Sequence, residues 1–204
     1  MPPARVGAVT SPPVDADAQL MVRVRNGDTE AFAPLVRKYR APMIAYCARQ
    51  VGDRFVGEEL AQDVFLQAYG ARHRYQPTAR FATWLYTIAT RLCLNELRRR
   101  GQERRHLGRR VAERYAREDL EQRSSVALGG DAHMRGVEAA ERFELAISML
   151  PPRQRTVFLL SRVEGLPHVE IASIVGISRG AVKAALSRAL STLARYVPSV
   201  VDDR

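Results

Sequence analysis

Apolar residues recur at helical spacing over most of this chain and almost nowhere alternate one by one. From about Asp17, residues 18–26 and 28–50 read as two amphipathic helices broken at Asn26-Gly27. Asp28 is placed to cap the second, which carries Phe32, Leu35, Val36, Tyr39, Met43, Ile44 and Tyr46 and ends at Gly52-Asp53. A third helix is predicted from about Val56 to Tyr69, with Leu60, Ala61, Val64, Phe65 and Ala68 as its buried stripe. After the loop ARHRYQPTAR, residues 71–80, a fourth helix begins near Phe81 and continues into Arg98-Arg99-Arg100. Phe81, Trp84, Leu85, Ile88, Leu92 and Leu97 form its apolar face. From Gly101 to about Val137 the pattern loosens into Arg, Glu, Gly and Ser, with the breaker run SSVALGGDAHMRG and one polar helix near 107–122. Amphipathic spacing returns over 138–150 through Ala139, Phe143, Leu145, Ala146 and Leu150. Leu150-Pro151-Pro152 then breaks the helix and starts another, because proline is tolerated in a first turn but not inside a helix. That next helix, about 152–163, carries Val157, Phe158, Leu159 and Leu160 and closes at Glu164-Gly165.

The segment HVEIASIVGISRGAVKAALSRAL, His168 to Leu190, specifies a helix-turn-helix. Two short helices crossing steeply need a small residue at the crossing, a tight turn and an apolar lock. Ala172, Gly176 and the set Ile171, Val175, Ile177 and Val182 fill those roles, and Ser178 is the expected cap of the second helix. An ordinary helical hairpin is the plainer reading. The cap, the spacing and the basic residues on the free face favour a DNA reader, whose second helix would enter the major groove. With Ile177, Val182, Ala185, Leu186 and Ala189 inward, Arg179, Lys183, Ser187 and Arg188 lie outward, and Gly180 admits close backbone approach.

The fold class is therefore all-α: two small helical domains, at 17–100 and 138–197, joined by a flexible basic linker at 101–137 and preceded by a disordered tail at 1–16. The second domain, at about sixty residues, is marginal by itself, so a stabilising partner is reasonable. The chain of 204 residues carries a net charge of +10 and 46% apolar residues, which suits a soluble partner of a polyanion. Of its 32 basic residues only Lys38 and Lys183 are lysines, a bias that a GC-rich genome also produces. Cys47 and Cys93 lie in apolar-periodic stretches and read as buried small hydrophobes. No apolar run approaches the length of about 18 residues that a membrane span needs, and the N-terminus lacks a signal-peptide core. The expected location is cytoplasmic.

Three further segments carry candidate chemistry. On the fourth helix, the face opposite the apolar one holds Thr83, Thr87, Thr90, Arg91, Leu94 and Arg98, hydroxyls and guanidinium groups suited to phosphates and bases; Trp84 sits at its boundary. A solvated face is the plainer alternative. The loop before it interleaves Arg72, His73, Arg74, Tyr75 and Arg80, the cation–aromatic mixture that binds single strands. On the third helix, Glu59, Gln62, Asp63 and Leu66 fall on one face, a poor DNA surface but a reasonable protein-docking one. Nothing indicates an enzyme: the four histidines, His73, His106, His133 and His168, are scattered, and no metal-ligand, P-loop or G-x-S-x-G pattern occurs. No catalytic residue, metal, cofactor or small-molecule substrate is expected. An autonomous helix-turn-helix regulator is the alternative class, but no heptad helix offers the dimer surface it would need.

The segments EELAQDVFLQAY, FATWLYTIATRLCLNELRRR and LPPRQRTVFLLSRVEGLPHVEIASIVGISRGAVKAALSRA, in that order, resemble the sigma-70 family of RNA polymerase initiation factors, and more narrowly its extracytoplasmic-function (ECF) group. The resemblance spans about 18–100 and 140–195. It implies that the first domain corresponds to region two and the second to region four. Partners would be core RNA polymerase, through its beta and beta-prime subunits, promoter DNA and a separate anti-sigma factor. Glu59, Gln62, Asp63 and Leu66 would dock on the coiled coil of the largest subunit. Arg74, Tyr75, Arg80, Trp84, Thr87, Thr90, Arg91 and Arg98 would bind the −10 element, and the 71–80 loop would hold a flipped base. Ser178, Arg179, Gly180, Lys183, Ser187 and Arg188 would read the −35 element. The linker would pass through the RNA path. Departures are Arg91 and Asn95, where the family often has Asn and Asp, and Ala184-Ala185, where VKSRLSRAR is common. The two alanines are expected to cost polar reach toward DNA.

Overall fold

The computed structural model describes residues 15–115 and 143–195, with side chains to residue 105 in the first stretch, Arg104 excepted. The expected disordered tail at 1–14, linker residues 116–137 and domain ends at 138–142 and 196–197 lie outside the described residues. Every regular element within them is helical. In the first domain, α1 (Ala16–Arg25) is joined by a 3₁₀ turn, Thr29–Ala31, to α2 (Phe32–Val51). Then come α3 (Arg54–Gly70), a second 3₁₀ turn at Arg72–Arg74, and α4 (Phe81–Tyr115). The second domain contains α5 (143–149), α6 (Pro152–Phe158), α7 (His168–Val175) and α8 (Arg179–Leu193).

Local chemistry sets these boundaries. Asp28 caps the 3₁₀ turn, receiving Ala31 N–H at 3.3 Å, rather than α2 itself, which begins later at Phe32. Gly52, at φ 70°, stops α2 in the left-handed conformation, and Asp53 then caps α3 by accepting from Phe55 and Val56 N–H. Asp15 caps two helices at once. One carboxylate oxygen receives Asp17 N–H in the first turn of α1 (3.1 Å), and the other receives Phe81 N–H at the start of α4 (2.6 Å). Asp15 and Ala16, expected within the disordered tail at 1–16, are thus ordered, and Asp15 ties the start of α1 to the start of α4.

α4 corrects the expected boundary at residue 100, because it continues through Gly101 to Tyr115. Glutamates and arginines of high helix propensity surround that glycine, and ion pairs Arg99–Glu96 (2.7 Å), Arg100–Glu96 (2.7 Å) and Arg99–Glu103 (2.5 Å) brace it. The start of the linker expected at 101 is therefore ordered helix. In the second domain, α6 runs on as a π-helical turn, Leu159–Val163, before Gly165 (φ 66°) reverses the chain. Of the stripe expected over 138–150, Ala139 lies outside the described residues; Leu145 is exposed, and Ile147, not expected inside, turns inward with Ala146 and Leu150.

Two apolar centres result. Met21, Leu35, Met43, Tyr46, Val64, Phe81 and Leu85 fill the first, with Cys47 and Cys93 fully buried among them. Ile147, Leu150, Phe158, Leu160, Ile171, Val182 and Leu193 fill the second. The domains also touch, α7 lying on α4 and α6 on α2. A buried polar chain crosses the contact: Thr90 Oγ1 and Tyr46 OH lie 2.7 Å apart, and Gln50 Nε2 donates to both Tyr46 OH and Thr156 Oγ1 at 3.1 Å. Arg155 is buried as well. It donates to the carbonyls of Ile147 and Leu150 (3.1 Å each), of Ser148, and of Gln50 in the other domain (2.6 Å).

Candidate nucleic-acid interface and docking face

The helix-turn-helix has the geometry expected of it. Gly176 takes φ 68°, and Ile177 N–H returns to Ala172 carbonyl at 3.1 Å. Ser178 Oγ then accepts Ala181 N–H at 3.2 Å to start α8. Val182, Ala185, Leu186 and Ala189 are buried, whereas Ser178, Arg179, Gly180, Lys183, Ser187 and Arg188 are all exposed. A Cβ built on Gly180 would meet only Ser178 Oγ, at 3.9 Å, so the helix tip is open to a close partner. Ala185 belongs to the core, so only Ala184 shortens the polar face. The expected loss at both positions is thereby corrected, because one of them points inward.

On α4 the outward stripe is narrower than its sequence indicates. Thr87, Arg91 and Arg98 are exposed, and Trp84 is half-buried. Thr90, expected at the DNA surface, is 3% exposed, its hydroxyl spent on Tyr46. Tyr75 is likewise not free: it is 2% exposed, its ring edge-on to Trp84 (4.9 Å) and Phe81 (6.3 Å), and burial pushes its hydroxyl up to about 12. Arg74 and Arg80 remain exposed on the same loop. Within the run 98–100, Arg99 and Arg100 are engaged by Glu96, whose carboxyl they hold below its ordinary range. Among the described residues Arg98 bonds only the neutral amide oxygen of Asn95, at 2.8 Å. Among the described residues Arg91, Arg98, Arg179, Lys183 and Arg188 form no ion pair, so their charge is available to a polyanion.

α3 presents a different surface. Glu59, Gln62, Asp63 and Leu66 are exposed, Leu66 by 70%. Beside them opens an apolar cavity of about 410 Å³ lined by Phe32, Val36, Ile44, Phe65, Leu66 and Tyr69 and rimmed by Arg40 and Glu58. Phe55, at the start of the helix, is 81% exposed. The groove residues of α2 were recognisable from sequence as apolar positions. That Phe32, Val36 and Ile44 stay only partly buried, at the edge of the core beside α3, was not. Among the described residues no cluster of His, Cys, Asp or Glu could hold a metal, and no helix is long and apolar enough to cross a membrane.

Comparison with known proteins decides what this surface belongs to. Residues 35–103 match the family model for sigma-70 region 2, and residues 140–193 that for sigma-70 region 4. The ECF RNA polymerase sigma factor SigW of Bacillus subtilis is 30% identical over 179 residues, covering 86% of this chain and 93% of that protein. The chain belongs to the ECF sigma factors. RNA polymerase sigma-H factor of Pseudomonas aeruginosa is also 30% identical, over 86% of this chain and 90% of its own. Two solved structures share the fold at a TM-score of 0.62. CnrH in complex with the cytosolic domain of CnrY is 22% identical, with 91% of this chain and 99% of that chain covered. RpoE of Bartonella quintana, in complex with the anti-sigma factor NepR, is 21% identical, with 85% and 98% covered. As an ECF sigma factor the protein binds core RNA polymerase and directs promoter-specific transcription initiation. The helix-turn-helix is thus one of two readers rather than a regulator acting alone.

Proposed function

We propose that this sigma factor divides its work among three faces. The acidic, leucine-bearing face of α3, Glu59, Gln62, Asp63 and Leu66, docks on the beta-prime coiled coil, with the adjoining apolar groove receiving side chains from it. Arg74, Arg80, Trp84, Thr87, Arg91 and Arg98 meet the −10 element. Tyr75 and Thr90 support that surface from beneath. Ser178, Arg179, Gly180, Lys183, Ser187 and Arg188 read the −35 element from the major groove. The work is done by binding: stacking is worth about 1–3 kcal/mol per base and offsets the unstacking that melting requires. The factor acts in the cytoplasm and makes or breaks no covalent bond. A separate anti-sigma factor controls it, as the complexes of its two structural relatives suggest.

One observation carries the division. The exposed face of α3 holds two acids and a leucine, whereas the exposed faces of α4 and α8 hold Arg91, Arg98, Arg179, Lys183 and Arg188 without acid partners among the described residues. Asp63→Arg should lower affinity for core polymerase at least tenfold and leave thermal unfolding unchanged; unchanged affinity would remove the docking assignment. Arg179→Ala should lose about 1–3 kcal/mol of −35 discrimination in a promoter-competition assay while melting of the −10 element survives. Unaltered preference would refute the role of Arg179.

A further inference from the structure

α4 runs to Tyr115, past residue 103, where the match to sigma-70 region 2 stops. Among the described residues, the hydrogen bonds that tie α4 to the second domain in this closed arrangement lie at its start. Glu170 accepts the Thr83 hydroxyl and pairs with Arg80 Nη1 at 3.5 Å, and Glu164 accepts the Tyr86 hydroxyl. From Arg91 onward the helix carries a different surface. At about 100° per residue, Arg98, Gln102 and Arg105 fall within about 40° of Arg91 around the helix axis. All four are exposed. The only acids between Thr87 and Arg105 are Glu96 and Glu103, which stand about 140° and 120° away from Arg91. Arg99 pairs with both and Arg100 with Glu96, so neither acid opposes the stripe. Arg105 forms no ion pair among the described residues. Arg98, Gly101, Gln102 and Arg105 border an open groove of about 490 Å³. Nothing lies within 4 Å of where a Cβ on Gly101 would stand, so a partner can come close to the helix there.

The chemistry of this stripe selects its partner. Single-strand binding needs rings on which bases stack, and no aromatic residue occurs from Thr87 to Arg105. Guanidinium and amide groups are the usual donors to phosphate oxygens. Arg91, Arg98 and Arg105 recur every seventh residue, a rise of about 10.5 Å, close to three duplex steps of about 3.4 Å. An acid-free row of cations at that interval matches the regular charge of a duplex backbone. Melting opens the −10 element, so the duplex left beside its reader lies upstream.

We infer that the later part of α4, through Gln102 and Arg105 with Arg98 as the link, binds the phosphates of the duplex upstream of the −10 element. Arg105, about 21 Å beyond Arg91 along the helix, reaches about six base pairs further. The contact adds affinity and register and reads no sequence. This rests on the assignment of α4 to the −10 element.

The test uses core polymerase with full-length factor and a fork-junction promoter, duplex upstream and single-stranded through the −10 element, with affinity measured over a range of salt. Arg105→Ala should reduce the steepness of log K against log salt by about 1 and bind at least threefold more weakly. Arg105→Lys should keep the wild-type slope. Arg37→Ala, which removes the same charge from an exposed site on α2, should keep it too. An unchanged slope in Arg105→Ala, or an equal fall in Arg37→Ala, would overturn the inference. Uncharged methylphosphonate linkages about three to six base pairs upstream of the element should weaken wild type at least threefold and Arg105→Ala far less. Equal losses in the two proteins would overturn it as well, as would a base preference in that stretch that Arg105→Ala abolishes. A scrambled −10 element separates the two claims. If wild type binds it as well as the true element, the −10 assignment fails; with that preference intact, the salt and methylphosphonate results bear on Arg105 alone.

Discussion

Gly57→Ala should unfold the first domain at lower temperature, although alanine is the better helix former. Gly57 lies on α3 where it crosses α2. A Cβ there would sit 2.4 Å from both Ala48 Cα and Ala48 N and 2.7 Å from Ala48 Cβ. Carbon atoms in favourable contact are about 3.5–4.0 Å apart, so the helices would have to separate by roughly 1 Å. Two of the three opposing atoms are backbone and cannot rotate away. Overpacking of this kind costs about 1–3 kcal/mol, against a propensity gain of about 1 kcal/mol for replacing glycine in a helix. Because backbone atoms stand in the way, the cost falls at the upper end of that range, and the net expectation is a loss of about 2 kcal/mol. Each kilocalorie shifts the midpoint by about 2–8 °C, depending on the size of the cooperative unit. Thermal unfolding followed by far-UV circular dichroism measures it. Gly101→Ala supplies the control, since α4 leaves nothing within 4 Å of a Cβ at that position. That variant should be unchanged or stabilised by up to about 1 kcal/mol. A Gly57→Ala protein as stable as wild type would refute the close crossing of α2 and α3, and with it the placement of the α3 docking face.

Asp15→Ala should cost about 1–3 kcal/mol, more than an ordinary cap, because one carboxylate serves both α1 and α4; urea unfolding that shows less than about 0.5 kcal/mol would deny the double cap. Acidification should favour the closed arrangement. Burial pushes the Glu164 carboxyl up, with the Tyr86 hydroxyl and Arg49 pulling it down, so the closed form holds the proton more tightly than the open one. The contribution is full below the ordinary carboxylate range and is lost as pH rises through the raised value. Energy transfer between dyes at Gln67→Cys and Ser191→Cys should therefore increase from neutral pH toward about 4.5, and Glu164→Gln should flatten the change. Asp15, Asp17, Lys38, Tyr39, Arg80 and Tyr86 share the same cavity, so a response that persists undiminished in Glu164→Gln would assign it elsewhere.

The elements that could be read from the chain are those whose determinants are local. Gly176 followed by Ser178 specifies a turn and a cap within three residues, and the apolar period of α3 places Leu60, Val64 and Ala68 inside without reference to anything distant. The misreadings turn on side-chain partners that periodicity alone does not assign. Thr90 looked like a surface residue because hydroxyls normally face water; Tyr46, 44 positions earlier, satisfies it inside the core. Tyr75 looked like a stacking platform because it lies between arginines, yet Phe81 and Trp84 enclose its ring. Gly101 looked like a boundary, but a single glycine costs only about 1 kcal/mol and the flanking Arg–Glu pairs carry the helix past it. Nothing local marked Glu164 and Glu170 as contacts of the other domain. Their meaning depends entirely on α7 lying across α4.

Reconstituted transcription tests the central claim most directly. Purified factor, core RNA polymerase and a library of promoter fragments are combined, with each protein omitted in turn. The expected result is transcription from a defined subset of promoters only when both proteins are present, with weak, salt-sensitive DNA binding by the factor alone. Tight, sequence-specific binding by the factor without polymerase, and no promoter-directed transcript with it, would contradict the account.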